Sequence, residues 1–112
     1  MSVILLAVFS ESQYAFIQEP MVDAARNGDL ATVSRLLDRG ADVDGESDDQ
    51  GGTALVGAAA EGHADIVLLL LRRGANPNKA TSYFGRSDQT PLMVATGHPD
   101  IVAILKKAGA KR

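Results

Sequence analysis

The sequence predicts an all-α solenoid of three stacked helix–turn–helix units. Three observations lead there. First, residues 27–44 (NGDLATVSRLLDRGADVD) superpose on residues 61–78 (EGHADIVLLLLRRGANPN) at an offset of 34, and these on residues 96–112 (TGHPDIVAILKKAGAKR) at an offset of 35. A period in the low thirties marks arrays whose units bury their apolar faces on one another. Second, the glycines align along with the apolar residues: Gly28 with Gly62 and Gly97, Gly40 with Gly74 and Gly109. Third, aromatic residues make up only 4%. The core must then be Leu, Val, Ile and Ala, which suits closely packed helices.

The elements follow in order. Residues 1–18 lie outside the repeats and carry an apolar run, Val3–Phe9, with no Lys or Arg. Leu5 with Phe9, or Ile4 with Val8, are i,i+4 pairs that can cover the open face of the first unit, with Phe16 and Ile17 continuing the cover. Two alternatives stay open: a cleaved signal, which lacks its basic start, and a segment that docks on a partner or on a second copy of the chain. Residues 19–112 form the repeat domain, in units of about 19–48, 49–85 and 86–112. Each unit opens with a short Ala-rich inner helix: Met21–Arg26, Ala54–Ala60 and Pro91–Thr96. Ala24-Ala25 and Ala58-Ala59 are small because helices must approach closely there. Gly28, Gly62 and Gly97 turn the chain into the outer helix. Leu30, Val33, Leu36 and Leu37 then fall at i, i+3, i+6 and i+7, and Ala64, Val67, Leu70 and Leu71 do the same. Arg39 and Arg73 suit the negative end of the helix dipole, and Gly40 and Gly74 supply the left-handed stop.

Residues Gly51, Thr53, Ala54, Leu55, Ala58, Ala59, Gly62, His63, Ile66, Val67, Leu70, Leu71, Gly74, Ala75, Asn76 and Asn78 together resemble the ankyrin repeat. Thr90-Pro91-Leu92 and Ala95 carry the resemblance in the third unit, and Pro20, Ala24-Ala25, Gly28 and Gly40-Ala41-Asp42 in the first. It implies antiparallel helix pairs joined by hairpin-like fingers, stacked into a curved slab. There are departures. Val56 and Met93 stand where the motif has His, which puts its inter-repeat hydrogen bonds in doubt. Only Thr96 separates Ala95 from Gly97, so the third inner helix is expected to be short by about half a turn. The connection from Asn78 to Thr90 is longer than that from Asp44 to Thr53, so the second finger carries an insertion. Lys106 replaces Leu37 and Leu71, as expected of a capping unit.

The residues give little support to catalysis. His63 and His98 occupy the same place in successive units, and stacked equivalents stay about 10 Å apart, which argues for a structural job. There is no G-x-S-x-G context and no phosphate-binding glycine loop, so the expectation is a non-enzyme with no cofactor. The acidic run Asp42, Asp44, Glu46, Asp48, Asp49 lacks the ligand spacing of a calcium loop and reads as a solvated finger tip, so no metal is expected. Lys106, Lys107, Lys111 and Arg112 form a small basic end without interleaved aromatics, so nucleic acid is not the expected partner. The apolar run Ile66–Leu71 is far short of the roughly 20 residues that a membrane-spanning helix needs. The expected compartment is the cytoplasm, or an exported one if residues 1–18 act as a signal.

The expected function is therefore binding of another protein, as an interaction module that can act as an inhibitor or immunity-type blocker; the alternative is a scaffold that dimerises through residues 1–18. Charge is polarised along the array: residues 1–55 hold ten acids and three bases, residues 56–112 four acids and eight bases. Such a field can orient a partner. The resemblance implies binding through finger tips and the exposed side of the inner helices. The matching positions are Arg26 and Asn27 in unit one, and Asp49, Gln50, Gly52, Ala60 and Glu61 in unit two. In unit three they are Arg86, Ser87 and Gln89, with Tyr83 and Phe84 from the insertion. Large aromatics at a loop tip are poor core material and good interface anchors, though they can also pack a long finger against its own base.

Overall fold

A computed structural model describes residues 17–18, 20–47 and 51–111. The chain forms three stacked helix pairs. Helix α1 covers residues 20–27, with residues 17–18 also helical. It is followed by α2 (Leu30–Asp38), α3 (Ala54–Glu61), α4 (Ala64–Arg72), strands β1 (Thr81–Tyr83) and β2 (Arg86–Gln89), α5 (Pro91–Val94) and α6 (Pro99–Lys107). α3 packs on α5, and α4 packs between α2 and α6. Inner and outer rows thus run side by side.

The core is aliphatic. Met21, Val22, Val33, Leu55, Ile66, Val67, Leu70, Ile101 and Leu105 are fully or almost fully buried. Val33 and Val67 occupy equivalent buried places, and their third-unit counterpart Val102 is half-buried. Each outer helix stops in the same way. The N–H groups of Ala41, Ala75 and Ala110 reach back five residues to the carbonyls of Leu36, Leu70 and Leu105 at 3.1, 3.0 and 2.9 Å. The preceding Gly40, Gly74 and Gly109 have φ of 102°, 91° and 104°, which is the glycine-favoured Schellman stop.

The inner helices are not equivalent, and two expectations need correction. α5 has 4 residues against 8 in α3, so it is shorter by about a full turn and not half of one. Gly97 does not adopt the left-handed conformation that Gly28 and Gly62 share at φ 82°. In the first two units the turn closes with Asp29 N–H to Ala24 O and His63 N–H to Ala58 O, both at 2.9 Å. In the third, His98 N–H bonds to Ala95 O at 2.8 Å, a tighter turn that has no place for a left-handed residue.

Side chains tie neighbouring units together. His63 Nε2 lies 2.8 Å from Arg26 O, and His98 Nε2 lies 3.2 Å from Ala60 O. A carbonyl only accepts, so Nε2 carries the proton in both rings. These bonds join the units although the motif's own His is replaced. Along the finger bases, Asp44 Oδ1 accepts from Asn76 N–H at 2.9 Å, and Asn78 clamps the backbone of Gly109 and Lys111 at 3.0 and 2.9 Å. Gln18 does the same for unit one, exchanging two bonds with the backbone of Asp42 at 3.0 and 2.9 Å. Glu46 accepts from Thr81 Oγ1 and pairs through its backbone with Thr53. The acids Asp44 and Glu46 thus hold the fingers together. The apolar run Val3–Phe9 and the lid pairs within it lie outside the described residues.

Candidate protein-binding groove

The second finger is a two-stranded antiparallel hairpin, with Thr81 opposite Gln89 and Tyr83 opposite Arg86. Its two-residue loop is Phe84-Gly85, with φ of 46° and 82°. Both are left-handed, as a tight loop matched to strand twist requires. Asn-Gly is the usual solution; a bulky Phe in the first place costs roughly 1–2 kcal/mol. Two contacts offset that strain. Tyr83 meets Phe84 edge-on, centroids 4.7 Å apart, and the Arg26 guanidinium lies 5.0 Å from the Phe84 centroid. Arg26 belongs to α1, so the finger inserted between units two and three reaches back to unit one.

The hairpin walls a groove of about 300 Å³. Ala60 of α3 lies on one side, Met93, Val94 and Thr96 on the other, and Tyr83, Phe84, Arg86 and Gln89 come from the finger. The early end of α5 leaves Thr96 outside helix as part of the wall. Phe84 is 58% exposed and Met93 44%, so two large apolar groups stand at the rim in water. The Tyr83 hydroxyl is buried and lies close to Glu61. Burial pushes it above the ordinary phenol range, and the charge of Glu61 adds to the rise while Arg26 opposes it. Arg26 also pairs with Asp23 at 2.5 Å. The surface combines apolar anchors with charges of both signs. Among the described residues, no group of His, Asp or Glu is placed to hold a metal ion.

A family model described as ankyrin repeats (3 copies) matches residues 5–81 and 21–111. The chain belongs to the ankyrin-repeat family. A putative ankyrin repeat-containing protein of Treponema pallidum (strain Nichols) is 41% identical over 81 residues, 72% of this chain and 26% of its own length. The ankyrin repeat, SAM and basic leucine zipper domain-containing protein 1 of Dasypus novemcinctus is 37% identical over 108 residues, 90% of this chain and 21% of its own length. The 2-5A-dependent ribonuclease of Mus musculus is 36% identical over 75 residues, 67% of this chain and 10% of its own length. The chain spans about a quarter or less of these relatives. The first family match begins inside the segment read as an extension.

Ankyrin repeats are protein–protein interaction modules and are generally non-catalytic. Of the positions the resemblance implied, Ala60, Tyr83, Phe84, Arg86 and Gln89 meet in the groove, and Arg26 and Glu61 support its aromatic wall. Asn27 and Ser87 are exposed but do not line it. Gly52 needs correction: it is buried beneath β1, where a Cβ would stand 2.8 Å from Thr81 Cγ2, so it serves packing and offers no surface. Asp49 and Gln50 lie outside the described residues. The sequence reading missed Met93, Val94 and Thr96. Met93 had a signal: an apolar residue where the motif has a polar one, on a helix already seen to be short. No described helix is long and apolar enough to cross a membrane.

Proposed function

We propose that the protein grips a partner protein in this groove, with Phe84 as the anchor, and blocks the surface it covers without catalysing a reaction. One observation carries the reading. Phe84 is held in a conformation costly for its type, yet 58% of it faces water. A strained residue that is not needed to fill the core points to a role in recognition. Exposed Met93 adds an adaptable apolar contact beside it.

Phe84→Asn tests this, because Asn accepts the left-handed conformation and lacks the ring. The thermal midpoint is expected to stay or rise. Retention of the partner captured by the wild-type chain from its source is expected to fall at least about ten-fold. Unchanged capture, or a chain that no longer folds, would make Phe84 structural and end the proposal. Loss of the captured partner's own activity on adding the chain tests the blocking step separately.

A further inference from the structure

On the side built by α2, α4 and α6 lie two more grooves, of about 520 and 460 Å³, which share Leu68 and Arg72. Leu68 is 39% exposed and forms the ridge between them. At the equivalent place, units one and three carry Ser34 and Ala103. The repeat pattern therefore does not require a large apolar residue there. Leu30, Leu69 and Ile104 extend the apolar lane to either side of the ridge.

Charge flanks this lane unequally. The C-terminal turns of the three outer helices present exposed Arg35, Arg39, Arg72, Arg73, Lys106 and Lys107. Each pair suits its own helix dipole, but stacked in parallel they make one basic edge. Asp38 answers Arg73 at 2.5 Å. The opposite edge carries Asp29, Asp65 and Asp100.

We infer that this face docks an amphipathic helix of a partner protein, one whose leucine-rich stripe carries carboxylates along one flank. An amphipathic helix about 10 Å across can lie along this lane, crossing the three outer helices with its apolar stripe on Leu68 and the basic edge along one side. The basic edge selects the carboxylate flank and sets the direction of the docked helix. An anionic membrane fits less well, because the Asp29, Asp65 and Asp100 edge would face its headgroups. This surface shares no residue with the Phe84 groove, so the two readings stand or fall separately.

The test uses the full chain and two synthetic helical peptides with the same leucine stripe, one carrying Glu and the other Lys along a single flank of it, read by fluorescence anisotropy. The Glu peptide is expected to bind saturably, at least about ten-fold tighter than the Lys peptide, and to weaken as salt rises. Leu68→Glu should lose that binding about ten-fold or more. Leu68→Ser, which copies Ser34, is the milder variant if the first misfolds. Arg72→Glu with Lys107→Glu should reverse the peptide preference, and Phe84→Asn should leave it unchanged. The inference is overturned if neither peptide saturates, if both bind equally, if the Leu68 variants bind as well as wild type, or if only phosphatidylserine vesicles bind.

Discussion

α3 and α5 start on the same signal. Thr53 and Thr90 each accept a backbone N–H three residues on, from Val56 at 3.2 Å and Met93 at 3.3 Å. Their ends differ. In α3 the six residues from Ala54 to Ala59 are all buried, and the helix runs on to a left-handed Gly62. In α5 only Pro91 is buried, the helix stops at Val94, and Met93 faces water. A shared start does not make helices equal. What sets their length is the number of residues before the turn, and two fewer in unit three leave the wall of a groove where unit two has core. The same repeat thus serves packing in the middle of the array and lines an open groove beside it.

The sharpest break in that comparison is a pair of glycines that the sequence aligns. Gly62→Ala puts a Cβ 2.7 Å from His98 Cε1, at a φ of 82°. Left-handed strain of about 1–2 kcal/mol and overpacking of about 1–3 kcal/mol combine, so a loss of about 2–5 kcal/mol is expected. Gly97→Ala meets nothing within 4 Å and needs no left-handed backbone. It should stay within about 0.5 kcal/mol of wild type. Urea unfolding of the two variants measures the difference. Equal losses would mean that the third turn is built like the second.

A smaller effect separates the histidines that follow those glycines. His63→Ala removes a 2.8 Å bond and leaves the Arg26 carbonyl without its ring donor; His98→Ala removes one of 3.2 Å from Ala60. Losses of about 1–3 kcal/mol are expected for the first, with the second at the low end. Thermal melts check the order, and the reverse order would place the stronger junction at the groove.

How far these differences could be read beforehand depends on their range along the chain. The stops at Gly40, Gly74 and Gly109 were legible because a Schellman turn is local, made within six residues. The stacking of Val33 and Val67 was legible because a repeat carries its own register. Gln18 bonding to Asp42, Asp44 to Asn76, and the reach of Phe84 to Arg26 were not, since each joins residues far apart in sequence through a geometry that only the stacked array creates. Gly97 misled for a related reason. It aligns with Gly62, but the missing residues before it change the turn. Tyr83 and Phe84 stood out as aromatics at a loop tip, whereas Met93 was marked only as an apolar residue where the motif has His, a mark it shares with Val56, which is buried.

The smallest expected effect divides the outer helices by what sits at their start. α2 is capped locally: Asp29 accepts Thr32 N–H at 3.2 Å and the Thr32 hydroxyl at 2.6 Å. α4 and α6 begin at His63 and His98, which make no side-chain cap bond and reach to the neighbouring unit instead. The Thr32 hydroxyl, followed by its N–H, holds the Asp29 carboxyl below its ordinary range, with Arg35 adding to the effect and burial opposing it. A lowered folded-state value means that the cap's contribution is present above the ordinary aspartate value of about 3.9 and is lost as pH falls through the lowered one. Hydrogen exchange at the Thr32 amide should therefore lose protection on acidification through that window. Asp29→Asn keeps an acceptor and removes the charge, so that particular loss should vanish. Every other carboxylate is common to both proteins, so the difference between them isolates Asp29. An Asp29→Asn variant whose Thr32 amide kept the wild-type acid response would show that the start of α2 is held by its neighbours, as α4 and α6 are.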